Sequence, residues 1–388
     1  MKVPQIFDRN MKRLAFLDNA VSVGYSLEIN SLWTATFTLP ADDDKNAYCQ
    51  PLNFVEIFDG DERIDLFRII GEDLERSNGA TRFYDCEHVL ATLLSDVLFQ
   101  YHQYGGGGIK TADVLNYVLA RQTTRNWVLG DCDFKRYFEY NWENSTLLAA
   151  LFAVPECFDS EYMWTWDTTV YPWTISLVAP SDTMKSEVRY AKNMTSMKKT
   201  VDASGIANRI YALGYGEGVN QLTIAGVNGG KPYVEDAMSI QQYGLCSTIL
   251  VDSRYEVAEN LKGYAEQMLA ELKNPYVSYE IGAIDLHRLT GDTFSKFRPG
   301  EIVRVVDEAD GINLRTRIVS VEKSDAQGDP GSVTVTIANK SKDIAGSISE
   351  LQNRALINET YAQGATNQQI YNFTDNADAT HPATLKLY

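Results

Sequence analysis

Histidine is scarce in this chain, and its scarcity removes whole classes of chemistry. There are 4 in 388 residues, His88, His102, His287 and His381, and none pair at HExxH or HxH spacing, so a zinc peptidase would lack its ligands. Cysteine is also sparse. The 5 present, Cys49, Cys86, Cys132, Cys157 and Cys246, are odd in number, widely spread and without a CxxC pair. They argue against a disulfide framework or zinc knuckle and read as buried small residues of a chain folded in a reducing cytoplasm. None sits in a motif that would set a thiolate beside a base. The start, MKVPQIFDRNMKRL, has no apolar core of signal length, and the longest apolar stretch, 147–154, is too short to span a bilayer. No membrane anchor is expected. The glycine run 105–108 lacks the GK[ST] of a phosphate loop. Basic residues are outnumbered 52 to 35, and the net charge of −17 repels nucleic-acid backbones. Specific nucleic-acid binding, cofactors and metals are therefore not expected, although many soluble proteins are acidic for solubility alone.

What is present is apolar and aromatic: 44% hydrophobic residues, 11% aromatics and 22 Tyr, enough for several cores in a chain of multidomain length. From residue 25 to about 74 the pattern alternates with period two through SLEINSLWTATFTLP, FVEIFDG and IDLFRIIGEDLE, with Asp59-Gly60 as a hairpin turn. Over 83–98 the period changes, and Val89, Leu93, Leu94 and Val97 predict a helix. The glycine run then reads as a linker. Beyond it, Thr111 is placed to cap a helix carrying Val114, Leu115, Val118 and Leu119. A second helix from Asn144 or Ser145 carries Leu147, Leu148, Leu151 and Phe152 until Pro155 breaks it, and strands follow at 162–166 and 171–178. A long helix from Asp252 or Ser253 buries Val257, Leu261, Tyr264, Met268, Leu269 and Leu272. Alternation returns over 276–338.

The two alternating regions superpose in sequence. Pro51 to Asp59 matches Pro299 to Asp307 at a constant offset of 248 (299 − 51 and 307 − 59), and Arg68-Ile69-Ile70 meets Arg317-Ile318-Val319 at 249 (317 − 68). Generic half-buried hairpins can match by chance; a true repeat gives each chain two similar β barrels. The chain then reads as mainly β with α+β insertions, in five segments. These are a first β-barrel domain with a closing helix (1–99), an α/β insertion (100–181), an α+β middle domain (182–276), a second β-barrel unit (277–342) and a C-terminal helix with connector (343–388).

The order SLEINSLWTATFTLP, FVEIFDG, LFRIIGEDLER and YDCEHVLATLLSDVL, with Glu87-His88 ahead of the helix, resembles the N-terminal region of the prophage tail endopeptidase family, the tail-associated lysins or baseplate hub proteins of long-tailed phages. The resemblance implies a multidomain phage-hub fold with two tail-tube-like β barrels per chain. It implies a homotrimer with pseudo-sixfold symmetry beneath the distal tail protein ring, made in the host cytoplasm and located at the virion tail tip. Tape measure protein and tail fibre or receptor-binding proteins are the further partners expected. DNA would pass through an acidic lumen without specific binding.

The leading expectation is a structural hub with no catalytic site in these residues. The alternatives are the hub portion of a peptidoglycan-degrading lysin, whose hydrolase would lie beyond Tyr388, and a carbohydrate-binding receptor protein. The last would use the aromatic run Tyr162, Trp164, Trp166, Tyr171 and Trp173, which core packing also explains. His88 reads as a capping or packing residue. The polar stretch 347–373 predicts a helix whose narrow seam, Ile348, Leu351 and Ala355, meets its symmetry mates at the trimer axis or else packs on its own domain.

Overall fold

The computed structural model describes residues 2–76, 80–291, 296–309 and 311–338. Ile348, Leu351, Ala355 and the expected C-terminal helix lie outside these residues. The chain divides into two compact bodies: one holds residues 1–206 and 270–341, the other includes 207–269. Among the described residues no helix is long and apolar enough to cross a membrane.

In the larger body the chain begins with β1 (Gln5–Phe7), β2 (Arg13–Phe16), β3 (Ser22–Glu28), β4 (Thr34–Pro40), β5 (Phe54–Asp59), β6 (Glu62–Glu75) and β7 (Thr81–His88). Period-two alternation sets which face of each strand is buried. Val23, Tyr25 and Leu27 of β3 and Ala35, Phe37 and Leu39 of β4 turn into one core with Val55, Ile57, Phe67, Ile69 and Tyr84. The predicted closing helix is a strand followed by a short 3-10 helix, Val89–Leu94. The reason is that Tyr84, Cys86 and His88 are buried at every second position, so period two extends to His88.

Next come β8 (Val97–Gly105), α1 (Thr111–Leu119), β9 (Trp127–Cys132), β10 (Glu139–Thr146), α2 (Leu147–Phe152), β11 (Met163–Asp167) and β12 (Trp173–Val178). β8 pairs with β10, while β11, β12 and β9 form a separate sheet. The glycine run turns the chain from β8 into α1 with φ of 121°, 66°, 54° and 93°, and a Cβ on Gly105 would come within 2.2 Å of Phe138 O. Thr111 is not the cap; it is the first helical residue, its hydroxyl accepting from Arg136 N–H at 3.0 Å. α2 starts later than expected because Thr146 caps it, accepting from Ala149 N–H at 3.2 Å.

The chain continues through β13 (Met184–Arg189) and β14 (Met194–Asp202). The smaller body holds β15 (Arg209–Leu213), β16 (Tyr233–Glu235), α3 (Ala237–Tyr243), β17 (Ser247–Val251) and most of α4 (Ala258–Leu272). Its sheet runs β16-β15-β17. The α4 stripe is buried except for Val257, which precedes the helix and is 49% exposed.

Back in the larger body, β18 (Tyr276–Ile284), α5 (Leu286–Thr290), β19 (Ile302–Asp307), β20 (Ile312–Lys323) and β21 (Ser332–Ala338) complete the fold. The strand order β3-β4-β7-β6-β5-β1 is repeated as β14-β18-β21-β20-β19-β13, and each repeat wraps its own apolar core. Every pair in the two runs is antiparallel except β13 with β19. Both long strands break register at the same place, between Ile69 and Gly71 in β6 and between Ile318 and Ser320 in β20. A shared strand order with a shared bulge is not what chance hairpins produce.

The expectation of two barrels is corrected. Among the described residues neither repeat closes: the outer edge of β3 is taken by β20 of the other repeat, and the outer edge of β14 pairs with no strand. The result is one continuous 13-stranded sheet.

Candidate functional site at the joint between the repeats

β20 meets β3 in the register Ser320↔Glu28, Val321↔Leu27, Glu322↔Ser26 and Lys323↔Tyr25. Gly24 permits the approach, since a Cβ there would come within 2.8 Å of Ser324 O. Val321 and Lys323 face inward, so a lysine enters the core at 2% exposure. Its ammonium donates to Asp59 Oδ2 at 2.7 Å, Asp285 Oδ2 at 2.8 Å and Pro330 O at 3.0 Å. Asp59 ends β5, and Asp285 caps α5 by accepting from His287 N–H at 3.1 Å. Tyr25 O–H donates to Asp59 Oδ2 at 3.0 Å; burial first, and the adjacent Asp59 second, push its pKa well above the usual tyrosine range. Residues from both repeats thus complete one buried charge cluster, three hydrogen bonds saturating the ammonium.

A cleft of about 760 Å³ opens beside this cluster, lined among others by Trp33, Trp166, Glu62, His287, Lys296 and Arg298. Burial opposes ionisation of Glu62, but Lys296 and Arg298, at 2.5 and 2.7 Å, outweigh it and hold its carboxyl below the usual range. At the inner wall lies Asp65. Burial again opposes its ionisation, yet His88, the Thr168 hydroxyl and Arg63 together hold its pKa low. His88 is fully buried; its Nδ1 accepts from Leu90 N–H at 3.1 Å, capping the 3-10 turn. Its Nε2 lies 3.4 Å from Asp65 Oδ1, close enough to matter electrostatically but too poorly aligned for a hydrogen bond. Trp166 and Trp33 cover the ring at centroid distances of 4.8 and 5.7 Å.

An Asp–His pair invites an acid–base reading, but this ring is sealed by indoles and its Nδ1 is occupied by the backbone. The Thr168 hydroxyl donates to the same Asp65 oxygen. The pair is therefore a packing and capping device. His102 hydrogen-bonds the Tyr117 hydroxyl at 2.9 Å, away from this cluster, and His381 lies outside the described residues. Among the described residues no group of His, Cys, Asp and Glu could hold a metal. Cys49, Cys86 and Cys157 are buried as expected, whereas Cys132 and Cys246 are only partly so. Burial pushes the Cys49 thiol up to about 12 and Cys86 well above its ordinary value.

Two stretches match family models: 181–348 that of the prophage endopeptidase tail, and 106–172 that of the prophage endopeptidase tail domain. The chain belongs to the prophage tail family. No curated protein matches it. Among solved structures, this prophage tail chain is similar to the prophage tail protein gp18 from Listeria monocytogenes EGD-e, with TM-score 0.61 and 14% identity over 92% of this chain and 99% of the other. It is also similar to the tail protein from Neisseria meningitidis MC58, with TM-score 0.61 and 10% identity over 87% and 96%. The 43 kDa tail protein of prophage MuSo2 from Shewanella oneidensis gives TM-score 0.60 and 14% identity over 88% and 98%. At such identities the likeness is one of fold.

The aromatic run of this tail protein serves mainly as core. Trp164 and Trp173 are buried, Trp166 is half-buried and meets Trp33 edge-on, and Tyr171 is exposed. The residues that sequence reasoning missed are Lys323 and Asp285, with Asp59 read only as a turn. The available signal was a lysine in phase with inward Val321.

Proposed function

We propose that the chain is the structural hub at the tail tip of a long-tailed bacteriophage, a homotrimer that closes the tail tube. The observation that supports this most is the duplication: two repeats of one strand order in each chain mean that three chains present six, the number a sixfold tube needs. The distal tail protein ring would sit on one side, with tape measure protein in the tube and tail fibre or receptor-binding proteins on the other side. DNA would pass without specific binding, repelled by a chain of net charge −17. The seam Ile348, Leu351 and Ala355 would then meet its symmetry mates on the axis. Light scattering on the purified chain, or native mass measurement of assembled tails, is expected to give trimers; a dimer or tetramer in the assembled tail would refute the reading.

The described residues carry no hydrolase in this reading, since the Asp65–His88 pair is sealed and the Thr168 hydroxyl beside it is spent on Asp65. Zymography against Gram-positive cell walls is expected to show no clearing by the purified chain. A cleared band that survives removal of contaminating hydrolases would favour the tail-lysin reading instead.

A further inference from the structure

The joint between the repeats is built from equivalent parts that each repeat also possesses, and one set is left over. Register fixes the equivalences. Ile69 of β6 faces Cys86, and Ile318 of β20 faces Ile337, so Gly71 to Leu74 correspond to Ser320 to Lys323. Through β4 and β18, Ala35↔Tyr25 corresponds to Tyr279↔Lys199, so residues 199–202 of β14 correspond to residues 25–28 of β3. In the chain, β3 offers its outer edge to β20. At the equivalent place β14 ends the sheet: its ladder is with β18, and no strand among the described residues pairs along its other edge. The equivalent stretch of β6, beyond its pairing with β5, bonds only β7.

We infer that β14 of one chain pairs with the end of β6 of a second copy, in the register Gly71↔Asp202, Glu72↔Val201, Asp73↔Thr200 and Leu74↔Lys199. This rests on the hub reading and deepens it, by naming the surface through which copies join. Exposure and charge both support the partner. Ile70, Leu74 and Val201 are 51%, 42% and 57% exposed, large apolar side chains standing on two open strand edges. Leu74 holds the place that Lys323 fills at the internal joint, where that side chain is buried. The β6 end carries Glu72, Asp73 and Glu75, while β14 carries Lys198 and Lys199, with its one acidic residue, Asp202, set opposite the uncharged Gly71. The acidic β6 end is kept from pairing with its own kind, and the two lysines of β14 favour the mixed pair. Because the step from chain to chain repeats the step from repeat to repeat, one operation applied throughout generates a head-to-tail ring rather than a two-fold dimer.

Cysteine crosslinking in the full chain tests the register. Directly opposed residues have Cβ atoms about 4.5–5.5 Å apart, so Leu74→Cys with Lys199→Cys is expected to form a ladder of covalent multimers under mild oxidation, relative to each single variant. Leu74→Cys with Thr200→Cys, which puts the thiols on opposite faces, is expected to give none. Both edges are exposed, so the variants keep their cores, and circular dichroism checks that they fold. Chains that assemble by native mass yet do not crosslink, or that crosslink equally in the offset pair, overturn this pairing and leave the hub reading standing. Chains that neither crosslink nor assemble up to millimolar concentration, nor form rings in purified tails, overturn both.

Discussion

Replacing Lys323 with Met is expected to destabilise the larger body by about 3–5 kcal/mol, because it strips the shared cation from two buried carboxylates. Asp59 and Asp285 both lie within 2.8 Å of the ammonium, and Lys323 is only 2% exposed, so solvent cannot substitute for it. At roughly 2–4 °C per kcal/mol for a unit of this size, the thermal midpoint should fall by about 10 °C. Adding Asp59→Asn and Asp285→Asn should restore part of the loss, since the penalty lies in leaving charge unpaired rather than in losing the lysine stem. An unchanged midpoint in Lys323→Met would show that the cluster does not hold the repeats together.

His88→Ala is expected to cost about 3 kcal/mol, in the range for truncating a large buried ring. The side chain is fully buried among Trp33, Phe67, Trp127 and Trp166, and its loss also orphans the Leu90 N–H. His88→Asn keeps an acceptor for that N–H and should recover about 1 kcal/mol. Denaturant unfolding followed by tryptophan fluorescence reports on this region, because three of the ring's neighbours are indoles. Equal losses in the two variants would mean that capping contributes nothing and packing everything.

Much of the fold was legible because burial follows local period. β4 buries every second residue, the core stripes of α1 and α4 recur at helical spacing, and the two hairpins align at nearly one offset. At 83–98 the two periods overlap: Tyr84, Cys86 and His88 obey one, Val89 and Leu93 the other, and the strand prevails to His88. The open state of the repeats was not legible at all. Alternation says which face of β3 is buried, whereas which strand takes its edge depends on a partner 292 residues away (320 − 28). The charge cluster was hidden for the same reason, since Asp59, Asp285 and Lys323 come together only through that long-range pairing. The family was legible from the order of patterns, before any single site was.

The same long-range pairing shapes how the chain must fold. During synthesis the first repeat has all its strands once His88 has emerged, yet β3 then waits, unpaired on one side, until β20 is made. Closing so long a loop carries an entropic penalty that grows only logarithmically, about 0.6 kcal/mol for each doubling of length, so the native partner remains accessible. The delay itself is the hazard. In a crowded polysome the β20 of a neighbouring nascent chain presents the same edge, and a strand exchanged between molecules at that moment would yield domain-swapped concatemers instead of separate protomers. The buried lysine disfavours an approximate exchange, because any register other than the native one leaves its charge, and those of Asp59 and Asp285, without a counterpart.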